Sequence, residues 1–295
     1  MHILITGGTG FIGSELVKLL LQQDHTVTVM SRQDRASDGA CDYITNLDTI
    51  DDSATVDAVI NLAGASLAER RWTSVYKTEL VASRIDTTRD IVSLCTRLKR
   101  PPKVLLSASA IGYYGPFDDT RLDETVPAGN TFSAQLCEQW ELEARTAEAL
   151  GVRVCCLRLG VVLDRDGGAM NKMSQPFRFG LANWIGSGEQ WLSWVHRQDV
   201  LAAIAWLLAS DTASGAYNVT APEPVTSKGF CKSMQQHHRT VLTLPMPATL
   251  MRALMGEMAE ELLISGQRVV PNRLLSEGFS FRFPTIDKAL SAINS

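Results

Sequence analysis

Three glycines near the start of the chain have the spacing of a phosphate-binding turn. Gly7, Gly10 and Gly13 lie in TGGTGFIG, after an apolar run at residues 2–6 and before a helical pattern at residues 12–23. In this context Gly7 allows a tight turn, Gly10 lets the backbone approach a pyrophosphate, and Gly13 lets the helix lie close to the sheet. The helix N-terminus adds partial positive charge. The pattern predicts a dinucleotide site, and a plain strand-turn-helix is the alternative.

The end of the second apolar run, at residues 26–30, indicates which dinucleotide binds. NAD requires a carboxylate there for two ribose hydroxyls, whereas NADP requires cations for its 2′-phosphate. Ser31 and Arg32 occupy this position, and Arg35 follows. Because a guanidinium suits a phosphate dianion, we expect NADP(H) as the cofactor. The alternative for Arg32 is a solvated loop arginine.

Short apolar runs alternate with helical patterns along the first 165 residues. Each run is too short for a helix and is typical of a buried parallel strand. The runs are residues 2–6, 26–30, 58–62, 104–106 and 152–157, and the helical patterns cover residues 12–23, about 73–99 and about 133–150. This alternation predicts an α/β fold with a doubly wound parallel sheet.

Composition and charge restrict the partners. The 295 residues are 45% hydrophobic, and 28 Lys+Arg against 32 Asp+Glu give a net charge of -4 without a basic block. These values exclude global disorder and argue against nucleic acid or an anionic membrane as a partner. The longest apolar stretch, residues 200–209, is about half of the roughly 20 residues that span a bilayer. We therefore expect a small-molecule substrate, no nucleic acid and no membrane, with a homodimer left open.

The first residues and the cysteines indicate the compartment. The sequence MHILITGG lacks the basic region of a signal peptide. The six cysteines form no Cys-x-x-Cys and no Cys/His cluster with zinc spacing. We expect a cytoplasmic protein with reduced thiols and no metal site.

The regular alternation stops after Leu163. Residues 164–194 are rich in Gly, Pro and Trp, which predicts loops that form a lid over a substrate crevice. A helix at about residues 199–210 and a strand in GAYNVTAP then return to the sheet. We predict a Rossmann domain at residues 1–164 plus about 195–222. Residues 165–194 and 223–295 would form the lid and a smaller, mostly helical C-terminal part.

Several motifs together resemble the extended short-chain dehydrogenases/reductases, the NAD-dependent epimerase/dehydratase superfamily. These motifs are TGGTGFIG, NLAG at residues 61–64 and SASAIGYYG at residues 107–115. Other motifs resemble one branch, the YfcH-like epimerase-family proteins with an extra C-terminal domain of unknown function. They include RRWT at residues 70–73, LVASR at 80–84, LCEQWE at 136–141, RLGVVL at 158–163, WVHRQDV at 194–200 and GEMAEELLISGQRVVP at 256–271.

The resemblance implies further cofactor contacts beyond the three glycines, Ser31 and Arg32. They are Thr9, Phe11, Ile12, Leu62, Ala63, Gly64, Glu79, Arg84 and Val162. Glu79 and Arg84 would reach ribose and phosphate from the long helix. A surface ion pair between such residues is the alternative.

The superfamily's chemistry needs three side chains, and only one is matched. A Ser or Thr holds a substrate carbonyl or hydroxyl, a Tyr exchanges its proton, and a Lys four residues later lowers the Tyr pKa. Ser109 matches the first role. None of the five tyrosines has a lysine at the fourth following position. If Glu141 is aligned with the family's glutamate, Ser133 and Cys137 stand where Tyr and Lys should be.

Candidate replacements for the missing pair each have a structural alternative. Tyr113 or Tyr114, just after Ser109, is expected to face the pocket as the proton donor, and a hydrogen-bonded loop tyrosine is the alternative. His196 and Asp199 precede a helix, where Asp199 is better explained as an N-cap. Cys137 is better explained by packing than as a thiolate.

Two functions are consistent with this pattern. The first is an NADP(H)-dependent oxidoreductase or epimerase that acts on a small polar, nucleotide-sugar-like substrate under the lid. It is supported by the cofactor motif and Ser109. The second is a non-catalytic NADP(H)-binding regulatory protein, supported by the missing Tyr and Lys. Fold alone does not distinguish them.

Overall fold

The computed structural model describes residues 1–37, 39 and 41–294. The strands are β1 (His2–Thr6), β2 (Thr26–Met30), β3 (Cys41–Ile44), β4 (Ala58–Asn61), β5 (Val104–Ala110), β6 (Arg121–Leu122), β7 (Arg153–Leu159), β8 (Val161–Asp164), β9 (Leu181–Ile185), β10 (Trp191–Leu192), β11 (Trp194–His196), β12 (Gly215–Val219), β13 (Val225–Thr226), β14 (Leu242–Met246) and β15 (Arg268–Val269). The helices are α1 (Gly13–Gln22), α2 (Ser74–Arg97), α3 (Phe132–Arg145), α4 (Gly168–Arg178), α5 (Arg197–Ala209), α6 (Ser227–Gln235), α7 (Ala248–Met255), α8 (Glu257–Ala259), α9 (Asn272–Ser276) and α10 (Ile286–Asn294).

Seven strands form the central sheet in the order β12-β7-β5-β4-β1-β2-β3. All pairs are parallel, and Ile3 of β1 lies between Val27 of β2 and Ala58 of β4. The strands are apolar without alternation because both faces of the sheet are covered. Ile3 and Ile5 pack in the core that contains α1 and α5, whereas Leu4 packs in the core that contains Ile91 of α2. The predicted doubly wound α/β fold is confirmed.

The helices begin and end close to the predicted positions. The Thr73 hydroxyl accepts a hydrogen bond from the Tyr76 N–H and caps α2. A short 3-10 helix, Thr146–Leu150, extends α3 and ends at Gly151, whose φ of 78° is left-handed. Glycine tolerates this conformation without a steric penalty, so the helix can stop there.

Residues 164–194 differ from the loop lid that the sequence predicts. They form α4 and β9, and β9 pairs with β14 from the C-terminal part. Met170 and Phe177 of α4 are buried in a third core shared with α6 and α10. The low regularity of the sequence hid this core because its apolar residues pack on the C-terminal helices, outside the central sheet.

Asp199 connects the C-terminal part to the Rossmann sheet. Its carboxylate accepts the N–H groups of Arg282, at 2.8 Å, and Phe283, at 2.9 Å. The expected N-cap role is wrong, because the Nδ1 atom of His196 caps α5 by accepting the Gln198 N–H.

The domain boundaries stay a prediction. Across the described residues, every helix is too short or too polar to span a bilayer.

Candidate functional site

Three adjoining cavities follow the carboxyl ends of the central strands. Ligands of doubly wound sheets bind at this edge, where the strand order reverses between β1 and β4. Leu62 and Gly64, directly after β4, border all three cavities. Two of the cavities share Gly7 and Gly10 and form a groove over the glycine turn. The third is a pocket of about 350 Å³ beyond β5, here called the inner pocket.

The glycine turn has the shape that the sequence predicts. Gly7 has a φ of 71°, and a Cβ atom there would lie 2.5 Å from the Leu62 carbonyl oxygen. A Cβ on Gly13 would collide with the Gly7 carbonyl and the Gly8 backbone. A Cβ on Gly10 meets only the Gly7 oxygen, at 3.2 Å, and its open side borders the groove. No side chain of the described residues caps the start of α1, where the Ser14 N–H donates to the Gly10 carbonyl at 3.0 Å, and the partial positive charge of this helix end suits an anion.

Ser31 and Arg32 border the groove at the end of β2. The Ser31 hydroxyl is buried and accepts the Gln33 N–H at 3.1 Å, which fixes the turn. Arg32 is exposed and forms no hydrogen bond or ion pair within the described residues. An unpaired guanidinium at this position suits a phosphate.

The remaining predicted cofactor residues border the groove or the inner pocket, with one exception. The residues that do so are Thr9, Phe11, Ile12, Leu62, Ala63, Gly64, Arg84 and Val162. Glu79 lies outside all three cavities and pairs with Arg70 at 3.7 Å. Its cofactor contact stays a prediction, and its ion-pair partner is Arg70, whereas Arg84 is buried and does not pair with it. Arg84 is buried against Gly64 and donates to the carbonyls of Leu80 and Ala65.

Ser109 lies in the wall of the inner pocket and is held by a buried ion pair. Its hydroxyl donates to the Glu141 carboxylate at 2.7 Å. Arg158 binds both oxygens of Glu141, at 2.8 and 2.9 Å. Since a carboxylate only accepts hydrogen bonds, the Ser109 proton points to Glu141, and its oxygen can accept from the neighbouring Cys137 thiol and from a group in the pocket.

Tyr113 and Tyr114 do not face the inner pocket, so the expectation that one of them donates a proton there is wrong. The buried Tyr114 hydroxyl donates to Asn218 at 2.7 Å and accepts from Arg158 at 2.9 Å. Burial raises the pKa of Tyr114 to about 12. The Tyr113 ring lies 3.4 Å from the Arg158 guanidinium carbon. The Arg158 guanidinium thus contacts both tyrosine rings.

Ser133 and Cys137 do border the inner pocket from α3. Burial raises the pKa of the Cys137 thiol to about 11, so it stays protonated and fits the packing role. The Ser133 hydroxyl is buried and has no hydrogen-bond partner in the part of the chain that the structure describes.

The sequence analysis missed the Glu141–Arg158 pair and Glu261. A usable indication existed for Arg158, which stands inside the apolar run CCLRL of β7, where an unpaired charge would be very costly. Glu261 carries no such indication, because it lies among other charges and reaches the inner pocket only through the fold of the C-terminal part.

The two tyrosines should differ in their contribution to stability. Tyr114→Phe removes the hydrogen-bond partner of Arg158 Nη1 and of Asn218 Oδ1, both buried, so we expect a loss of about 1–3 kcal/mol in the free energy of unfolding. Tyr113→Phe keeps the ring on Arg158 and should cost less than about 0.5 kcal/mol. Urea unfolding of both variants measures this difference. A larger loss for Tyr113→Phe would contradict the arrangement.

Comparison with known proteins identifies relatives over the whole chain. Residues 3–220 match the NAD dependent epimerase/dehydratase family, and residues 246–293 match a domain of unknown function, DUF1731. Epimerase family protein SSP1921 of Staphylococcus saprophyticus is 38% identical, covering 98% of both chains. Epimerase family protein SAR0825 of Staphylococcus aureus is 36% identical, covering 99% of this chain and 98% of the relative.

Solved structures show the same fold. The crystal structure of human epimerase family protein SDR39U1 with NADPH superimposes with a TM-score of 0.90 at 32% identity, covering 100% of this chain and 99% of that one. UDP-glucose 4-epimerase of Thermus thermophilus, in complex with NAD, has a TM-score of 0.76 at 18% identity, covering 100% and 97%. The second likeness concerns the fold alone. From the family match and the full-length relatives, this chain belongs to the NAD dependent epimerase/dehydratase family and carries the DUF1731 domain at its C-terminus.

Proposed function

We propose that this chain is an NADP(H)-dependent, epimerase-like oxidoreductase that acts on a small molecule. The observation that carries the proposal is the inner pocket, which shares Leu62, Ala63 and Gly64 with the cofactor groove. A substrate held there lies beside the end of the groove that the nicotinamide would occupy. Nicotinamide supplies hydride donation or acceptance when it is bound.

The residues of the groove fit NADP(H). The uncapped start of α1 and the open side of Gly10 suit the pyrophosphate. The exposed guanidinium of Arg32, beside Ser31, suits a 2′-phosphate. The human relative was solved with NADPH, which supports the same choice for this chain.

Cofactor choice is tested by fluorescence titration. We expect NADPH to bind at least tenfold tighter than NADH, equivalent to about 1.4 kcal/mol, because the 2′-phosphate of NADPH would give Arg32 an anionic partner that NADH lacks. Arg32→Asp should narrow or reverse this preference. Arg35→Asp is the matched control, since Arg35 lies 6.0 Å above the Tyr43 ring and does not border the groove. Equal affinities of the unmodified protein for both cofactors would refute the NADP(H) assignment.

A non-catalytic NADP(H)-binding regulator is the second candidate function. It is favoured by the buried Tyr114, whose hydroxyl bonds to Asn218 and Arg158, and by the protonated Cys137, which leave the usual acid/base positions without a proton relay. Steady-state reduction of a carbonyl panel with NADPH separates the two. Turnover that Ser109→Ala abolishes supports the enzyme, and tight NADPH binding without turnover on any compound supports the regulator.

Three further properties belong to the proposal. The chain would act in the cytoplasm, which the six buried thiols support. Residues 1–164 with about 195–222 would bind the cofactor, and the remainder would cover the substrate. Whether the chain forms a homodimer is tested by measuring its mass in solution.

A further inference from the structure

A carboxylate from the DUF1731 domain lies in the wall of the inner pocket. Glu261 belongs to the π-helical turn Glu260–Ile264 and borders the pocket. Its oxygens accept the N–H groups of Phe132, at 3.2 Å, and Ser133, at 3.0 Å, at the start of α3. Single π-helical turns are rare and are frequent at functional sites. The contacts fix Glu261 beside Ser133, the position that an alignment on Glu141 gives to the family's tyrosine.

The unpartnered Ser133 hydroxyl is a second observation at the same place. The residue is 5% exposed, borders the inner pocket, and leaves its Oγ without a hydrogen bond in the described structure. Buried polar groups in folded proteins are nearly always hydrogen-bonded, so such an exception calls for an explanation. Because the Oγ atom has almost no accessible surface, a ligand in the pocket would supply the missing partner once the Ser133 side chain rotates toward it.

The charges of the inner pocket restrict what that ligand can be. Arg84 is the one cationic side chain among the described lining residues, and it already donates to the carbonyls of Leu80 and Ala65. Glu261 has no cationic partner in the described chain. A diphosphate is bound by cations and backbone N–H groups, and a carboxylate in the wall repels it.

We propose that Glu261 and Ser133 bind a hydrogen-bond-donating group of the substrate, a hydroxyl or an amine, and that the substrate is a small uncharged or cationic alcohol or amine and not a nucleoside diphosphate sugar. The lining fits such a molecule, because apolar side chains such as Leu136, Leu192 and Leu262 surround the polar end. The Ser109 lone pairs offer a further acceptor for the same substrate. The inference rests on the proposed function for the place of the cofactor.

Matched six-membered-ring probes test the charge preference. Trans-2-aminocyclohexanol, trans-1,2-cyclohexanediol and trans-2-hydroxycyclohexanecarboxylate share their apolar body and differ in charge. Their dissociation constants are measured by saturation-transfer NMR on the full chain, with and without saturating NADPH, and UDP-glucose is measured with NADPH present. We expect the amino alcohol and the diol to bind at least fivefold tighter than the hydroxy acid, and UDP-glucose not to bind.

Two substitutions assign the preference to the named side chains. Glu261→Gln keeps one of the two acceptors for α3, and thermal unfolding checks that the variant is folded. It should weaken binding of the amino alcohol at least fivefold. Ser133→Ala should weaken the diol about threefold without lowering the melting temperature, because it removes a hydroxyl that has no partner. Glu260→Gln is the matched control: Glu260 pairs with Arg252 at 2.7 Å and does not border the inner pocket, so affinities should be unchanged.

Several results would overturn the inference. They are tighter binding of the hydroxy acid, binding of UDP-glucose, no binding of any probe at 10 mM as a rough upper limit, or a charge preference that survives in Glu261→Gln. NADPH affinity is measured separately on the same samples. Failure of the cofactor proposal is therefore seen as absent NADPH binding, whereas failure of this inference is seen in the probe series alone.

Discussion

Replacing Arg158 with methionine should lower the free energy of unfolding by about 3–5 kcal/mol. In the unmodified protein the side chains of Arg158 and Glu141 are only 5% and 9% exposed. The substitution therefore leaves a buried carboxylate whose remaining side-chain donor is the Ser109 hydroxyl. Tyr114 loses a donor at the same time. Urea unfolding measures the change. Because Ser109 is oriented by Glu141, the variant should also alter the inner pocket.

A second substitution tests whether the unpaired charge causes the loss. Arg158→Met combined with Glu141→Leu removes both charges, so the double variant should be more stable than Arg158→Met alone by at least about 1 kcal/mol. Arg89→Met is the matched control, since it breaks the exposed Arg89–Glu143 pair and should cost less than about 1 kcal/mol. A double variant as unstable as the single one would show that the side chains act through packing.

The central sheet was predictable because its strands are buried on both faces. Such strands appear as short uninterrupted apolar runs, as in β1 and β4, and the glycine turn after β1 fixes the order of the elements around it. The sequence analysis missed β3 because CDYI is only four residues long and contains a charged Asp42, which is tolerated at the edge of the sheet, where one side has no neighbouring strand.

The cofactor groove was more predictable than the inner pocket. Groove residues lie at fixed distances from strand ends, as Ser31 and Arg32 do from β2. The inner pocket joins side chains far apart in sequence, such as Ser109, Ser133 and Glu261, and their meeting depends on how the DUF1731 domain packs. The prediction that Tyr114 faces the pocket relied on its closeness to Ser109 in sequence. It failed because the 3-10 helix Ile111–Tyr114 turns the Tyr114 side chain toward Arg158.

If the chain is an enzyme, the hydrogen bond from Ser109 to Glu141 determines which groups of a substrate Ser109 can bind. The Ser109 proton is committed to Glu141, so a substrate carbonyl cannot receive it without breaking that bond. A substrate hydroxyl or amine can instead donate to Ser109. The chemistry of the inner pocket therefore favours a donor-bearing substrate from two sides, Ser109 on β5 and Glu261 on the C-terminal part.

Gly10→Val should weaken NADPH binding at least 100-fold, about 2.7 kcal/mol, while the chain stays folded. The side chain would enter the open side of the turn, where the pyrophosphate is expected to approach the backbone. Within the protein its Cβ meets only the Gly7 oxygen, at 3.2 Å, and Gly10 does not require a positive φ. Fluorescence titration measures the affinity, and thermal unfolding measures the fold.

Gly13→Val provides the contrast, because its Cβ collides with the backbone of Gly7 and Gly8 and must displace α1 from the turn. This variant should lose stability whether or not NADPH is present, whereas Gly10→Val should lose only the stabilisation that NADPH adds to the folded state. If Gly10→Val folds and binds NADPH with unchanged affinity, the pyrophosphate does not cross this turn. The cofactor would then have to lie elsewhere along the carboxyl ends of the strands.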